Sequence, residues 1–227
     1  MGIMKNLFRL FNRTTPEKVR RAQYKRFALL HELAEAGGQK ERIREILNLD
    51  SLDLISFIYD KRIELAGTEL EVVFLDYYRP SQQRNIEDKV CSICLLSSIN
   101  HMDYMSLKIS RKKPRVLESL GASAIGGEVV SFDEPEFDSK VTVYARNFDE
   151  ASVLKKEIRA LILNSLYQRN LDPELRIGAN FMLFEACGKK DSPTDLVALE
   201  KLMADLMSLY VHFSNKASHD DKDGPSG

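Results

Sequence analysis

Apolar residues return at steps of three and four over residues 3–13 (IMKNLFRLFNR), where Ile3, Met4, Leu7, Phe8 and Phe11 form one stripe flanked by Lys5, Arg9 and Arg13. This spacing predicts a basic amphipathic helix. A second helix is expected from Thr14 or Thr15 as cap, with Val19, Gln23, Phe27, Leu30 and Ala34 inward and Gly37-Gly38 as its end. Lys40 to Leu47 predicts a short third helix. From Leu52 the period changes to two. Leu54–Leu65, a turn at Ala66-Gly67-Thr68 and Leu70–Tyr78 form an expected hairpin, followed by strands at Lys89–Ser97 and Tyr104–Ile109. Val72 to Leu75 is apolar on both faces, which places that strand centrally or gives it a layer on each side.

The best-punctuated stretch is Gly127 to Arg169. It holds a strand at Glu128–Phe132, an acidic turn around Pro135, a strand at Lys140–Ala145 and an expected long helix capped by Asp149. Leu154, Ile158, Leu161, Ile162 and Ser165 form its inward face. Short strands follow at Leu175–Ala179 and Phe181–Ala186. Ser192-Pro193-Thr194-Asp195 then opens a final helix whose stripe is Leu196, Leu199, Met203, Leu206, Tyr210 and Phe213. The pattern predicts one α+β domain over residues 14–213, with N-terminal helices, an antiparallel sheet of about six to eight strands and two long amphipathic helices in the C-terminal half. Residues 1–13 stand apart as the basic helix, and the polar residues 214–227 are expected to be a disordered tail.

Composition adds little at the scale of the whole chain. The 227 residues are 44% hydrophobic and 30% charged, with a net charge of -1, which is ordinary for a globular protein and names no partner. The distribution says more. Residues 1–26 carry Lys5, Arg9, Arg13, Lys18, Arg20, Arg21, Lys25 and Arg26 against Glu17, a local charge of +7 that leaves -8 for the rest. A basic apolar stripe of this kind suits an anionic membrane surface, with Ile3, Met4, Leu7, Phe8 and Phe11 inserted and Lys5, Arg9 and Arg13 on headgroups. It suits equally the body of the domain or a second copy of the chain. The cations at 18–26 are compatible with a solvated helix face, with phosphate-rich lipid or with nucleic acid.

Three cysteines, an odd number in a chain able to fold without staples, point to a reducing compartment and hence the cytoplasm. No apolar run approaches the ~20 residues a membrane span needs, and no secretory h-region opens the chain. Asn6 stands where a myristoylation motif after Gly2 wants Ser or Thr.

Candidate chemistry is sparse. Cys91 and Cys94 form a C-x-x-C, but on a strand residues three apart face opposite sides, so their sulfurs diverge. Cys187 has no companion, and His31, His101, His212 and His219 lack ligand spacing, so neither metal nor cofactor is expected. The acids Asp133, Glu134, Glu136 and Asp138 before Lys140 have the acid-x-Lys spacing of Mg²⁺-dependent nucleases, in which carboxylates hold the metal and Lys polarises a phosphate. The other reading is a charged turn. Arg111, Lys112, Lys113 and Arg115 suit a solvated loop or a phosphate contact, and Tyr77-Tyr78 suits sheet packing or a cleft wall. There is no nucleophile elbow, phosphate-binding loop or dinucleotide fingerprint.

Gly67, the run Val-Phe-Leu-Asp-Tyr-Tyr at 73–78, the 104–111 strand with its basic end, Pro135-Glu136-Phe137-Asp138, the Val141–Tyr144 strand and the Asp149-led helix occur in an order that resembles a widespread family of uncharacterised prokaryotic proteins. In that family a soluble α+β domain often follows transmembrane helices. The resemblance spans residues ~50–213 and departs from the family at His101-Met102-Asp103, where a Pro is usual, and in having no transmembrane helices. It implies a fold and a membrane-proximal setting, and no catalytic residue. The expected function is that of a non-catalytic binding protein, cytoplasmic and peripheral at the inner face of the membrane, with self-association through helices as a further expectation. The alternatives are a Mg²⁺-dependent phosphoryl-transfer enzyme using Glu136, Asp138 and Lys140, and a nucleic-acid-binding protein.

Overall fold

The computed structural model describes residues 15–79, 88–97, 106–112, 127–167, 171–189 and 193–220. The stripe Ile3–Arg13, the segment Val116–Ile125, residues 113–115, His101, Ser192 and the last residues of the tail lie outside them. Among the described residues the chain is α+β, with six helices and one antiparallel sheet of nine strands. The sheet is larger than expected because Ala34–Glu35 adds a short edge strand and the remaining strands all join one ladder.

The helices are α1 (Pro16–His31), α2 (Lys40–Leu47), α3 (Pro135–Asp138), α4 (Phe148–Ala151), α5 (Lys156–Tyr167) and α6 (Leu196–Asp220). The strands are β1 (Ala34–Glu35), β2 (Ile55–Leu65), β3 (Thr68–Arg79), β4 (Lys89–Ser97), β5 (Leu107–Arg111), β6 (Glu128–Val130), β7 (Val141–Ala145), β8 (Glu174–Gly178) and β9 (Phe181–Lys189). Their order across the sheet is β1-β2-β3-β4-β9-β8-β5-β7-β6. Strands 1–4 therefore make one wing and strands 5–9 the other, joined in the ladder by the pairing of β4 with β9. Nine residue pairs form that seam, from Lys89 opposite Lys189 to Ser97 opposite Phe181.

The β2–β3 hairpin turns on Ala66 and Gly67, at φ 52° and 73°. Positive φ at both central positions matches the right-handed twist of the strands and favours Gly. At the other edge, Gly127 needs its missing side chain, since a Cβ there would lie 2.3 Å from the Ala145 carbonyl oxygen.

Each face of the sheet is covered differently. Phe57, Val72, Phe74, Cys94, Leu96, Phe184, Leu175 and Val143 pack under α1, α5 and α6. On the opposite face Ile58, Val73, Leu75, Cys91, Ile93 and Leu183 pack with Ile43 and Leu47 of α2. Val72 to Leu75 thus lies between two layers, as its unbroken apolar run requires.

Three expectations are corrected. The long helix led by Asp149 is divided: Asn147, not Asp149, caps α4 by accepting from the Glu150 amide at 2.9 Å, and the chain leaves the helix before α5 begins at Lys156. The second half thus holds one long helix, not two. That helix, α6, starts at Leu196, with Asp195 Oδ1 accepting from the Val197 amide, while Thr194 is buried and donates to the Ala186 carbonyl. It also continues past Phe213 to Asp220. In α1 the inward face is Arg20, Tyr24, Phe27 and Ala28, whereas Val19 and Leu30 are exposed and Ala34 belongs to β1.

Candidate functional site

The turned face of α1 has a specific cause in β3. Asp76 is fully buried on the helix-covered side of the sheet, where an unpaired carboxylate would be prohibitive. Arg20 supplies two hydrogen bonds to it, Nε to Oδ2 at 2.7 Å and Nη2 to Oδ1 at 3.1 Å, and a third to Ser92 Oγ at 3.1 Å. Tyr24 donates its hydroxyl to Oδ1 at 2.7 Å. Burial would lower the Arg20 pKa, but the Asp76 hydrogen bond and charge outweigh it and raise it. Burial and the Asp76 charge together push Tyr24 far up. Docking Arg20 rotates Val19 and Leu30 outward.

The outcome is a groove of about 750 Å³ between α1 and the start of α6, lined by Val19, Gln23, Arg26, Leu30, Leu196 and Val197 among others. Val19, Gln23, Arg26 and Leu30 recur at helical spacing along its rim. Just round the helix, Leu29 is 83% exposed and Leu30 70% exposed, and Lys18, Arg21, Lys25 and Arg26 are exposed around them. Periodicity could not identify this face, because it treats Arg20 as polar and therefore outward.

The opposite face of the sheet carries a second cluster, at one end of the seam. Cys91 of β4 lies directly opposite Cys187 of β9, with Cα atoms 4.0 Å apart, and the two form a disulfide. The expectation that Cys187 has no companion is corrected: its partner is 96 residues away, and only strand register brings the two together. The divergence of Cys91 and Cys94 holds, since Cys94 is a buried free thiol in the helix-covered layer, where burial pushes its pKa up.

Beside the disulfide, Glu185 is buried and takes three donors. Tyr77 Oη and Arg79 Nη2 donate to Oε1, each at 2.6 Å, and Arg176 Nη2 donates to Oε2 at 2.6 Å. Arg176 also reaches Glu174 at 2.9 Å, as does Lys108. Burial would raise the Glu174 pKa, but Arg176 and Lys108 overcome it and hold the carboxyl below its ordinary value. Burial and the Glu185 charge raise the Tyr77 hydroxyl, which stays a donor. Cys91, Glu185 and Cys187 place ligand atoms within 4.8 Å of one another. With the sulfurs bonded together and the carboxylate held by two guanidiniums, the trio has no charge left for a cation.

Three of the four acids in the turn before β7 hold local hydrogen bonds or ion pairs. Asp138 accepts from Ser131 Oγ at 2.8 Å and from the amides of Phe132 and Glu134 at 3.1 and 3.2 Å. Glu136 pairs with Lys140 at 3.2 Å on the exposed side of α3, and Glu134 pairs with Arg159 at 2.7 Å. The structure does not bring Glu136 and Asp138 to a common point with another carboxylate among the described residues. The stripe residues Ile3, Met4, Lys5, Leu7, Phe8, Arg9, Phe11 and Arg13 lie outside the described chain, which begins at the mouth of the α1–α6 groove, where Pro16 contributes to the lining.

Compared with known proteins, the chain matches no family model, no curated protein and no solved structure.

Proposed function

We propose that this protein is a non-catalytic binding protein that attaches reversibly to an anionic membrane surface, through the outer side of α1 and the basic stripe that precedes it. The observation carrying this reading is the pair Leu29 and Leu30, exposed at 83% and 70% on a helix whose outward cations are Lys18, Arg21, Lys25 and Arg26. Two adjacent exposed leucines on a basic helix face offer apolar surface that a membrane would cover. One that meets lipid gains about 1.5 to 3 kcal/mol for each large apolar side chain fully buried and about 1 kcal/mol for each cation near the headgroups. Val19 and Val197 extend the apolar area along the groove. The stripe Ile3, Met4, Leu7, Phe8 and Phe11, with Lys5, Arg9 and Arg13, joins α1 through Thr14 and Thr15 and repeats the same chemistry. Among the described residues no helix is long and apolar enough to cross a membrane. The attachment proposed is peripheral, with these side chains inserted at the level of the headgroups.

Vesicle co-sedimentation tests it. Wild-type protein is expected to pellet with vesicles containing phosphatidylserine and to stay in the supernatant with phosphatidylcholine alone. Phe8→Glu and Leu29→Glu should each weaken the association several-fold, and higher salt should weaken it further. Wild-type protein that ignores anionic vesicles, or variants that bind as well as wild type, would refute the proposal.

A further inference from the structure

We infer that the Cys91–Cys187 disulfide is a thiol–disulfide exchange site for an acidic low-molecular-weight thiol of the glutathione type, with Cys187 as the sulfur attacked. Access decides the order of the chemistry. Cys91 is completely buried, whereas Cys187, opposite it on the seam, is exposed. An incoming thiolate therefore reaches only one of the two sulfurs.

Charge decides the reagent. Residues two apart on a strand share a face, and paired residues on antiparallel neighbours lie side by side. Arg79 opposite Lys89, and Lys89 opposite Lys189, thus form a row of three cations on the disulfide's own face, one step beyond Tyr77, Cys91 and Cys187. Lys89 and Lys189 are exposed and the Arg79 side chain is half-exposed. The neighbouring carboxylate Glu185, whose Oε1 lies 3.3 Å from Cys187 Sγ, is already offset by Arg79 and Arg176. A thiol carrying carboxylates is drawn to this end of the seam, and the same cations favour the thiolate that attacks.

In the first step the thiolate sulfur bonds to Cys187 Sγ, the Cys91–Cys187 bond breaks, and Cys91 leaves with the electron pair and takes a proton. In the second step another molecule of the thiol attacks, as its thiolate, the thiol-derived sulfur of the mixed disulfide, and Cys187 leaves with the electron pair and takes a proton. Two electrons and two protons have entered the protein, and two thiols have become one disulfide.

The experiment uses the full-length oxidised protein and glutathione. Alkylation under denaturing conditions is expected to add one label before reduction, at Cys94, and three after it. Peptide mapping of protein quenched with acid during glutathione treatment should find the adduct on Cys187. With oxidised glutathione, Cys91→Ser should form its adduct at least about tenfold faster than Cys187→Ser, as the exposure difference demands. Rates normalised to a small neutral disulfide should favour glutathione over the cationic thiol cysteamine at low salt, and the preference should fall in high salt and in Lys89→Glu. Three labels before reduction, an adduct on Cys91, or a normalised rate for cysteamine equal to or above that for glutathione would each overturn the inference. Mapping and the thiol comparison need only wild-type protein, so a variant that fails to fold does not block the test.

Discussion

Asp76 and Arg20 show how one residue sets what a neighbouring helix presents. Removing the carboxylate leaves a buried guanidinium without its counter-charge, which costs about 3 to 5 kcal/mol. Asp76→Asn is expected to lose that much in urea denaturation, and the triple variant Arg20→Met, Tyr24→Phe, Asp76→Leu should recover most of it, because apolar replacement removes the desolvation penalties and leaves no buried Tyr24 hydroxyl without its acceptor. A triple variant as unstable as the single one would count against the cluster as the organiser of α1. Glu174 makes a prediction about pH. Its folded-state pKa is depressed, so its stabilising effect is complete above the ordinary carboxylate pKa of about 4.3 and is lost as pH falls through the lower folded value. The stability gap between wild type and Glu174→Gln should therefore be constant from neutral pH to about pH 5 and shrink below about pH 4. A gap independent of pH would contradict the assignment. At this scale the sequence revealed that Cys91 and Cys94 face apart, since that follows from strand period alone. It did not reveal Cys187 as the partner of Cys91, because nothing within a few residues of either cysteine encodes which strand lies alongside.

Elements were legible where many local signals agree. The helix Lys40–Leu47 and the strand Lys89–Ser97 have the expected bounds, and the first hairpin differs by a residue or two at its ends. Most of the inward stripe of α6 is also as the spacing implies: Leu196, Leu199, Met203, Leu206 and Tyr210 are buried, and Phe213 is half-buried. Leu206→Ala should then cost about 2 to 5 kcal/mol, whereas Leu30→Ala on the exposed side of α1 should change stability by no more than about 0.5 kcal/mol, both read from chemical denaturation. A comparable loss at Leu30 would mean that its face is packed, and the membrane proposal would lose its main support. The expectations that failed involve competition between nearby signals. Asn147 and Asp149 are both cap residues two positions apart, and choosing the first places a short turn of helix before the main one. For α1 the apolar count favoured Val19 and Leu30, but the face turned inward buries Tyr24 and Phe27 and gives the buried Asp76 its partner in Arg20.

For the whole molecule the seam between β4 and β9 is the feature on which the rest depends. It joins two wings, α6 packs across both of its strands from one side, and the disulfide ties it from the other. A crosslink closing a loop of this length removes denatured-state entropy worth up to about 4 to 5 kcal/mol. Reduced protein is expected to unfold at lower urea concentration than oxidised protein. Because the crosslink acts through the unfolded chain, amides that exchange only by global unfolding should lose protection in both wings by the same factor. Unchanged protection of the β2–β3 hairpin in reduced protein would show instead that the crosslink acts only locally at the seam.

By itself the sequence determined the α+β class, the helix and strand positions in their main lines, the basic apolar character of the N-terminal end and the opposed directions of Cys91 and Cys94. All of these follow from periodicity and charge over a few residues. Only the tertiary structure decided the number and order of strands, the disulfide, the burial of Arg20 and the row of cations beside Cys187. Each of those depends on which strands pair and in what register, and that choice is made by contacts between residues far apart in the chain, where a shift of one position would move every side chain to the other face.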